Sequence, residues 1–259
     1  MEFEKFLKGI EMMPEAMEKL KKLSIPEEEY GEMKRLFYRE KDLFYKAILK
    51  EREYRLRFLY YFCRFACDAH KDYVEKGIED SVYWDTFSDL TIWCGNCYRD
   101  YGEYGLEEYD WLAHHVELQL FRLGRLQFEK TLSEWEILHG KTVISVHVPQ
   151  GEKLEIEACR ESVKRGYEFW GKEYTYLCDS WLLDPKLRKI LKEDSNILEF
   201  QKMFDVVSID KESRQAEERI FIKLEEDPRN YPEDTSLQRE AKRYLINGGI
   251  LGCALGVLK

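Results

Sequence analysis

No window of the 259-residue sequence approaches the roughly eighteen consecutive apolar residues that a membrane-crossing helix needs. The apolar tail from Ile250 to Leu258 is far too short, so no membrane association is expected. A basic excess is missing as well. The formal charge is −10, which argues against a nucleic-acid or anionic-membrane surface, because phosphate binding is driven by clustered Lys and Arg. A local basic pocket for a phosphorylated cofactor is compatible with that balance. The first twenty residues carry Glu2 and Glu4 and no uninterrupted apolar core, so no signal peptide is expected there. Gly-x-Ser-x-Gly, Walker, Rossmann and His-Glu-x-x-His motifs do not occur, which leaves the common hydrolase, nucleotide-binding and zinc-protease readings without support. There is neither an internal repeat nor a low-complexity stretch.

What is present is the composition of a folded chain, 44% hydrophobic and 14% aromatic. The charged fraction of 36% suits many exposed helix faces. Seven cysteines without a secretion signal fit reduced thiols and a cytoplasmic location. Cys63 with Cys67, and Cys94 with Cys97, have spacings that four thiolates could use on zinc. Both pairs fall in helical stretches without the turns that present such ligands, so core packing and no metal are expected. His114 and His115 are adjacent, and on a helix they diverge.

The first 120 residues read as successive helices. Phe3, Phe6, Leu7 and Ile10 recur at helical spacing, and Pro14 opens a new turn. Ser24, Pro26 and Glu27 form a start signal with Ser24 as cap. Leu59, Cys63, Ala66 and His70 share one face of a further helix. Helices are then expected from Asp80 to about Tyr98 and from Leu106 to Leu120. Trp93, Tyr98, Tyr101, Tyr104, Tyr109 and Trp111 form an aromatic-rich stretch suited to packing between helices, or to lining a ligand pocket.

The character changes near Arg122. Leu123 to Phe128 alternates, and Thr142 to Val148 is a β-branched run that puts Ile144, Val146 and Val148 on one side and Ser145 and His147 on the other. Cys159, Val163, Gly166, Tyr167 and Trp170 share a helix face, with Glu155 and Glu157 near its start. A strand is expected from Tyr174 to Leu183. Asp184 with Pro185 opens a short helix, and Ser195 and Asn196, the latter with Glu199, read as caps of the next. Asp205 to Ile209 is a strand, Thr235 with Gln238 a capping box, and Ile250 to Leu258 a final strand. Strand and helix alternation implies a partly parallel sheet covered by helices. The fold class is therefore α+β, an all-helical N-terminal domain over 1–120 followed by a mixed α/β domain over 121–259.

Five separated stretches carry a family resemblance: LFRLGRLQF (Leu120 to Phe128), VHVPQG (Val146 to Gly151), SWLLDP (Ser180 to Pro185), SNILEFQ (Ser195 to Gln201) and DTSLQR (Asp234 to Arg239). In this order they resemble bacterial acyltransferase domain-containing proteins, with a helical N-acyltransferase N-terminal domain and a GNAT-like C-terminal domain. The resemblance covers nearly the whole chain. It implies an acyl-CoA-dependent N-acyltransferase with acyl-CoA or acetyl-CoA as co-substrate and a small-molecule amine as acceptor. It places the acyl-CoA between the strands Val143 to Val148 and Tyr174 to Leu183, with the pyrophosphate at the helix start near Glu155. Val146, Val148 and Gly151 are the expected cofactor contacts. His147 is the expected base, and Asp179 and Ser180 would orient the acceptor, which approaches from the helical half. The usual phosphate loop reads Arg/Gln-x-x-Gly-x-Gly/Ala, whereas Pro149 to Leu154 reads PQGEKL, with a single glycine. That departure favours the alternative, a catalytically degenerate GNAT-fold protein that binds a small molecule or protein partner.

Overall fold

The structure, a computed structural model, describes residues 1–259, all but the side chain of Ile137. The chain divides into two compact units, Met1–Leu123 and Gly124–Lys259.

The first unit contains α1 (Phe3–Gly9), α2 (Pro14–Lys22), α3 (Glu27–Arg39), α4 (Lys41–Ile48), α5 (Tyr54–Glu75), α6 (Asp80–Phe87), α7 (Asp89–Tyr101) and α8 (Tyr109–Val116), and ends in strand β1 (Leu120–Leu123). Helix α5 has 22 residues and buries a wide apolar face, from Leu56 to Tyr73, against its neighbours while its charged residues stay outside. Phe58, Phe62 and Phe65 on α5 are fully buried. Phe65 stacks on Phe37 at 4.8 Å and Phe58 on Tyr109 at 4.1 Å. Such ring pairs add packing energy beyond the area they bury.

Three sequence expectations are corrected in this unit. Ser24 caps nothing: α3 starts after Pro26, which stands at the cap position without a side-chain hydrogen bond. The helix expected from Asp80 to Tyr98 breaks at Ser88, whose hydroxyl donates to the Asp85 carbonyl at 2.7 Å, a local bond that competes with helix continuation. The helix expected from Leu106 begins only at Tyr109, because the Leu106 N–H is taken by the Arg55 carbonyl at 3.0 Å. That approach requires glycine at Gly105, where a Cβ would fall 2.4 Å from the Arg55 backbone.

The second unit contains β2 (Leu126–Leu132), β3 (Thr142–His147), α9 (Ile156–Trp170), β4 (Thr175–Ser180), α10 (Asn196–Gln201), β5 (Phe204–Asp210), α11 (Gln215–Phe221), α12 (Ser236–Ile246) and β6 (Cys253–Leu258). Its strands lie in the order β2-β3-β4-β6-β5. Only β3 and β4 are parallel; the β2–β3, β4–β6 and β5–β6 pairs are antiparallel. Helix α9 is the crossover that a parallel pair needs. It packs close to the sheet at Gly166, where a Cβ would meet the Phe128 ring at 2.9 Å, and the Tyr176 hydroxyl donates to the Gly166 carbonyl at 2.9 Å. A second cluster, including Leu187, Ile220, Phe221, Tyr231 and Ala241, gathers α11 and α12.

The caps of this unit follow the sequence except at α10, where Ser195 is the cap and Asn196 is already the first helical residue. Asp184 accepts from the Lys186 N–H, Ser195 from the Ile197 N–H, and Thr235 with Gln238 forms a reciprocal capping box. The strand expected to run to Leu183 stops at Ser180, because a 3-10 turn covers Trp181–Leu183.

Candidate functional site

The site begins where β3 and β4 stop matching. Their parallel register pairs Val143 with Thr175, Ile144 with Tyr176 and Ser145 with Leu177, and ends there among the described residues. Both strands continue on their outer edges: β3 stays matched to β2 as far as His147 opposite Gln127, and β4 to β6 as far as Ser180 opposite Ala254. Each strand is thus held by its outer neighbour, while among the described residues no pairing joins the inner edges beyond Ser145 and Leu177. Twist accumulating along a sheet makes such parting easy where no ladder bond opposes it.

Strand parity decides which side chains flank the opening. His147 lies two positions beyond Ser145, and Asp179 two beyond Leu177, so both sit on the same face of the sheet. His147 Nε2 is 3.1 Å from Glu129 Oε2, with the carboxylate 10% and the imidazole 29% exposed. The imidazole is therefore held from below by a nearly buried partner and still reaches solvent. Asp179 is exposed at the end of β4, and partial desolvation holds its carboxyl above the usual carboxylate range. The hydrogen bond from Cys253 pulls the other way, Asp210 adds to the rise, and His147, when protonated, draws it down. Cys253 Sγ donates to Asp179 Oδ1 at 3.2 Å, and burial pushes this thiol up to about 12, so it remains a neutral donor. Gln215 Oε1 accepts from the Trp181 N–H at 2.8 Å and lies 3.5 Å from Cys253 Sγ, tying the start of α11 to the end of β4.

The remaining predicted residues divide. Val146 is buried on the opposite face, in register with Phe128, and Val148 lies just past the end of β3. Gly151 has φ +114°, a conformation that suits glycine, in the loop leading to α9. Ser180 does not join His147 and Asp179: it alternates to the other face, and its hydroxyl accepts from the Leu182 N–H at 3.2 Å. Its observed bond is that of a turn cap. At the start of α9, Glu155 makes no capping bond and Glu157 pairs with Arg160 at 2.5 Å, so neither observed bond ties a carboxylate to the first-turn N–H groups. Glu129, Asp210, Gln215 and Cys253 carried no sequence signal as site residues.

In the first unit, Cys63, Cys67, Cys94 and Cys97 are buried free thiols, raised by burial, the last three to about 12. Among the described residues no group of three or more His, Cys, Asp or Glu could hold a metal ion. His114 and His115 diverge, to Gln119 at 3.1 Å and Asp89 at 3.0 Å. Tyr98 stacks on Tyr104 at 4.4 Å, so part of the aromatic stretch packs on itself.

A mixed sheet whose one parallel pair parts beside a crossover helix defines the GNAT class of fold. Residues 120–258 match the GNAT-like C-terminal domain, and residues 1–118 match the N-acyltransferase N-terminal domain. The chain belongs to this family. Among solved structures it is similar to an acyltransferase in complex with decanoyl-CoA and teicoplanin, with TM-score 0.79, 22% identity, and coverage of 99% of this chain and 87% of that one. It is also similar to an acyltransferase mutant in complex with octanoyl-CoA, with TM-score 0.81, 22% identity and the same coverages. An acyltransferase in complex with CoA and 10C-teicoplanin gives the same four values as that mutant. At these identities the likeness is one of fold. No curated protein matches the chain by sequence. No helix among the described residues is long and apolar enough to cross a membrane.

Proposed function

We propose that this protein is an acyl-CoA-dependent N-acyltransferase. The observation that carries the reading is the end of β3–β4 pairing at Ser145 and Leu177, with His147 and Asp179 on one face of the opening beyond it. The opening would take the pantetheine arm of an acyl-CoA. The diphosphate would lie at the start of α9, where unpaired backbone N–H groups and the helix dipole favour an anion. The GNAT-like neighbours crystallised with CoA, octanoyl-CoA and decanoyl-CoA support the donor class.

In the reaction the amine nitrogen attacks the thioester carbonyl carbon. A C–N bond forms and the carbonyl π pair moves to oxygen. Collapse of that tetrahedral species breaks the C–S bond, and the sulfur leaves as thiolate and takes up a proton. His147 accepts the proton that the amine loses. With Nε2–H donating to the Glu129 carboxylate, Nδ1 carries the lone pair. Glu129 positions the ring. Asp179 orients the acceptor amine through charge and hydrogen bonding. The acceptor is a small molecule bearing an amine, and the seven free thiols suit a reducing cytoplasm.

The single glycine of the Pro149 to Leu154 loop favours a second reading, a fold that binds without catalysis. The two separate in one assay: release of free CoA thiol from decanoyl-CoA across a panel of primary amines, with product mass determined. Amine-dependent release that His147→Ala abolishes supports the transferase. Tight CoA binding with no amide product from any amine would establish the binding protein instead.

A further inference from the structure

The loop between β3 and α9 lacks the glycines that usually shape a diphosphate-binding backbone, yet one buried side chain organises it. Arg125 is 6% exposed. Its Nε donates to the Lys153 carbonyl at 2.9 Å, Nη1 to the Pro149 carbonyl at 3.0 Å and Nη2 to the Glu152 carbonyl at 2.8 Å. One rigid guanidinium plane thus fixes three carbonyls spread over the whole loop. The plane is itself anchored: the backbone N–H groups of Arg125 and Leu126 both donate to Ser162 Oγ on α9, at 2.7 and 3.2 Å. The turn that allows this has Gly124 at φ +86°.

A consequence follows from peptide planarity. In a trans peptide the carbonyl and the following N–H point in opposite directions, and the chain has no cis bonds among the described residues. Turning the carbonyls of Glu152 and Lys153 toward Arg125 directs the N–H groups of Lys153 and Leu154 away from it. The same loop leads directly into α9 at Ile156, whose first turn is the place where the proposed donor's diphosphate would lie. The guanidinium also sets a fixed positive charge behind the loop. A glycine-rich loop reaches such a shape through its own backbone freedom; here Gly151 and an internal template do so.

We propose that Arg125 is a positioning residue that holds the Pro149 to Leu154 loop in its diphosphate-binding form. This rests on the acyl-CoA reading and adds to it that affinity for the diphosphate-bearing part of the donor depends on Arg125. The test compares CoA with S-decanoyl-pantetheine, which lacks the diphosphate, by calorimetric titration of wild type, Arg125→Lys and Ser162→Ala. Lysine keeps the charge but cannot fork across three carbonyls. The expected result for Arg125→Lys is a loss of CoA affinity of about tenfold or more, with decanoyl-pantetheine affinity unchanged within about twofold. Ser162→Ala, which loosens the anchor and leaves the guanidinium intact, is expected to show the same selectivity in weaker form. It decides the matter if Arg125→Lys does not fold. Equal losses for both ligands, or unchanged CoA affinity in a folded variant, would overturn the role of Arg125. A wild type that does not bind CoA would instead sink the acyl-CoA reading itself.

Discussion

Ser145 and Leu177 are the last residues at which β3 and β4 stay in register, and the next residues on that face of the two strands are His147 and Asp179. A histidine and a carboxylate distant in sequence are therefore set on opposite lips of one opening by strand parity alone. The chemistry proposed for the protein is built on that placement.

If His147 is the base, His147→Ala lowers kcat/KM by about 10²–10⁴-fold at neutral pH, with little change in CoA affinity. Glu129→Gln keeps a hydrogen-bond acceptor but removes the charge behind the ring. It is expected to lower kcat less than His147→Ala does, because the ring keeps its place but loses a charge-assisted anchor. Steady-state kinetics of the two variants check both statements. A kcat in Glu129→Gln equal to that of wild type would remove Glu129 from its positioning role.

Asp179, an exposed residue, offers a test of partial desolvation, and the effect is expected to be small because solvent screens it. Its carboxyl is raised in the folded state, so ionising it costs stability as pH rises from the unfolded value through the folded one. Asp179→Asn removes that cost and keeps an acceptor for the Cys253 thiol. The variant should melt higher than wild type at pH 7, and the difference should vanish as pH falls through the carboxylate range. A lower Tm at pH 7 would show that the carboxylate is compensated by other contacts.

Asp68 behaves with the opposite sign. Burial pushes its carboxyl up, but hydrogen bonds from Lys34 at 2.6 Å and Tyr30 at 2.5 Å, with the charges of Lys34 and Arg64, hold it below the usual range. Its contribution is present above the unfolded pKa and is lost as pH falls through the folded one. Asp68→Asn should cost about 1 kcal/mol at pH 7, a value limited by the 39% exposure of the carboxylate. Denaturant titrations at pH 7 and pH 3 should show the cost shrinking at the lower pH.

Asp184 is the residue whose loss should weaken the second unit most directly. Its side chain is fully buried, with Oδ1 accepting from the Lys186 N–H at 2.9 Å and Oδ2 from the Gly252 N–H at 2.7 Å. Asp184→Ala leaves the Gly252 donor buried and unpaired, a loss of about 2–3 kcal/mol. Asp184→Asn, which keeps one carbonyl oxygen, should lose less in chemical denaturation.

Much of this was legible in the sequence because it is local. Alternation along Thr142 to His147 sets His147 on the polar side with Ser145, and the Thr235 and Asp184 caps lie within three residues of the helix N–H groups they cap. One error was local, at Ser88, where the bond to the Asp85 carbonyl broke a helix signal; the other, at Leu106, involves the Arg55 carbonyl, far away in sequence. What escaped is set by register between distant segments. Glu129 meets His147 only because β2 and β3 pair as they do, and Cys253 meets Asp179 only through β6. Ser180, beside Asp179 in the chain, is its neighbour in sequence but not on the sheet face.

The claim that β3 and β4 part to admit an acyl-CoA is tested most directly by following backbone amide resonances while CoA is added. The account predicts saturable shifts, largest at Val146, His147, Cys178, Asp179, Gly151 and the first turn of α9. Spectra unmoved at millimolar CoA, or shifts confined to residues away from the β3–β4 opening and the start of α9, would contradict it.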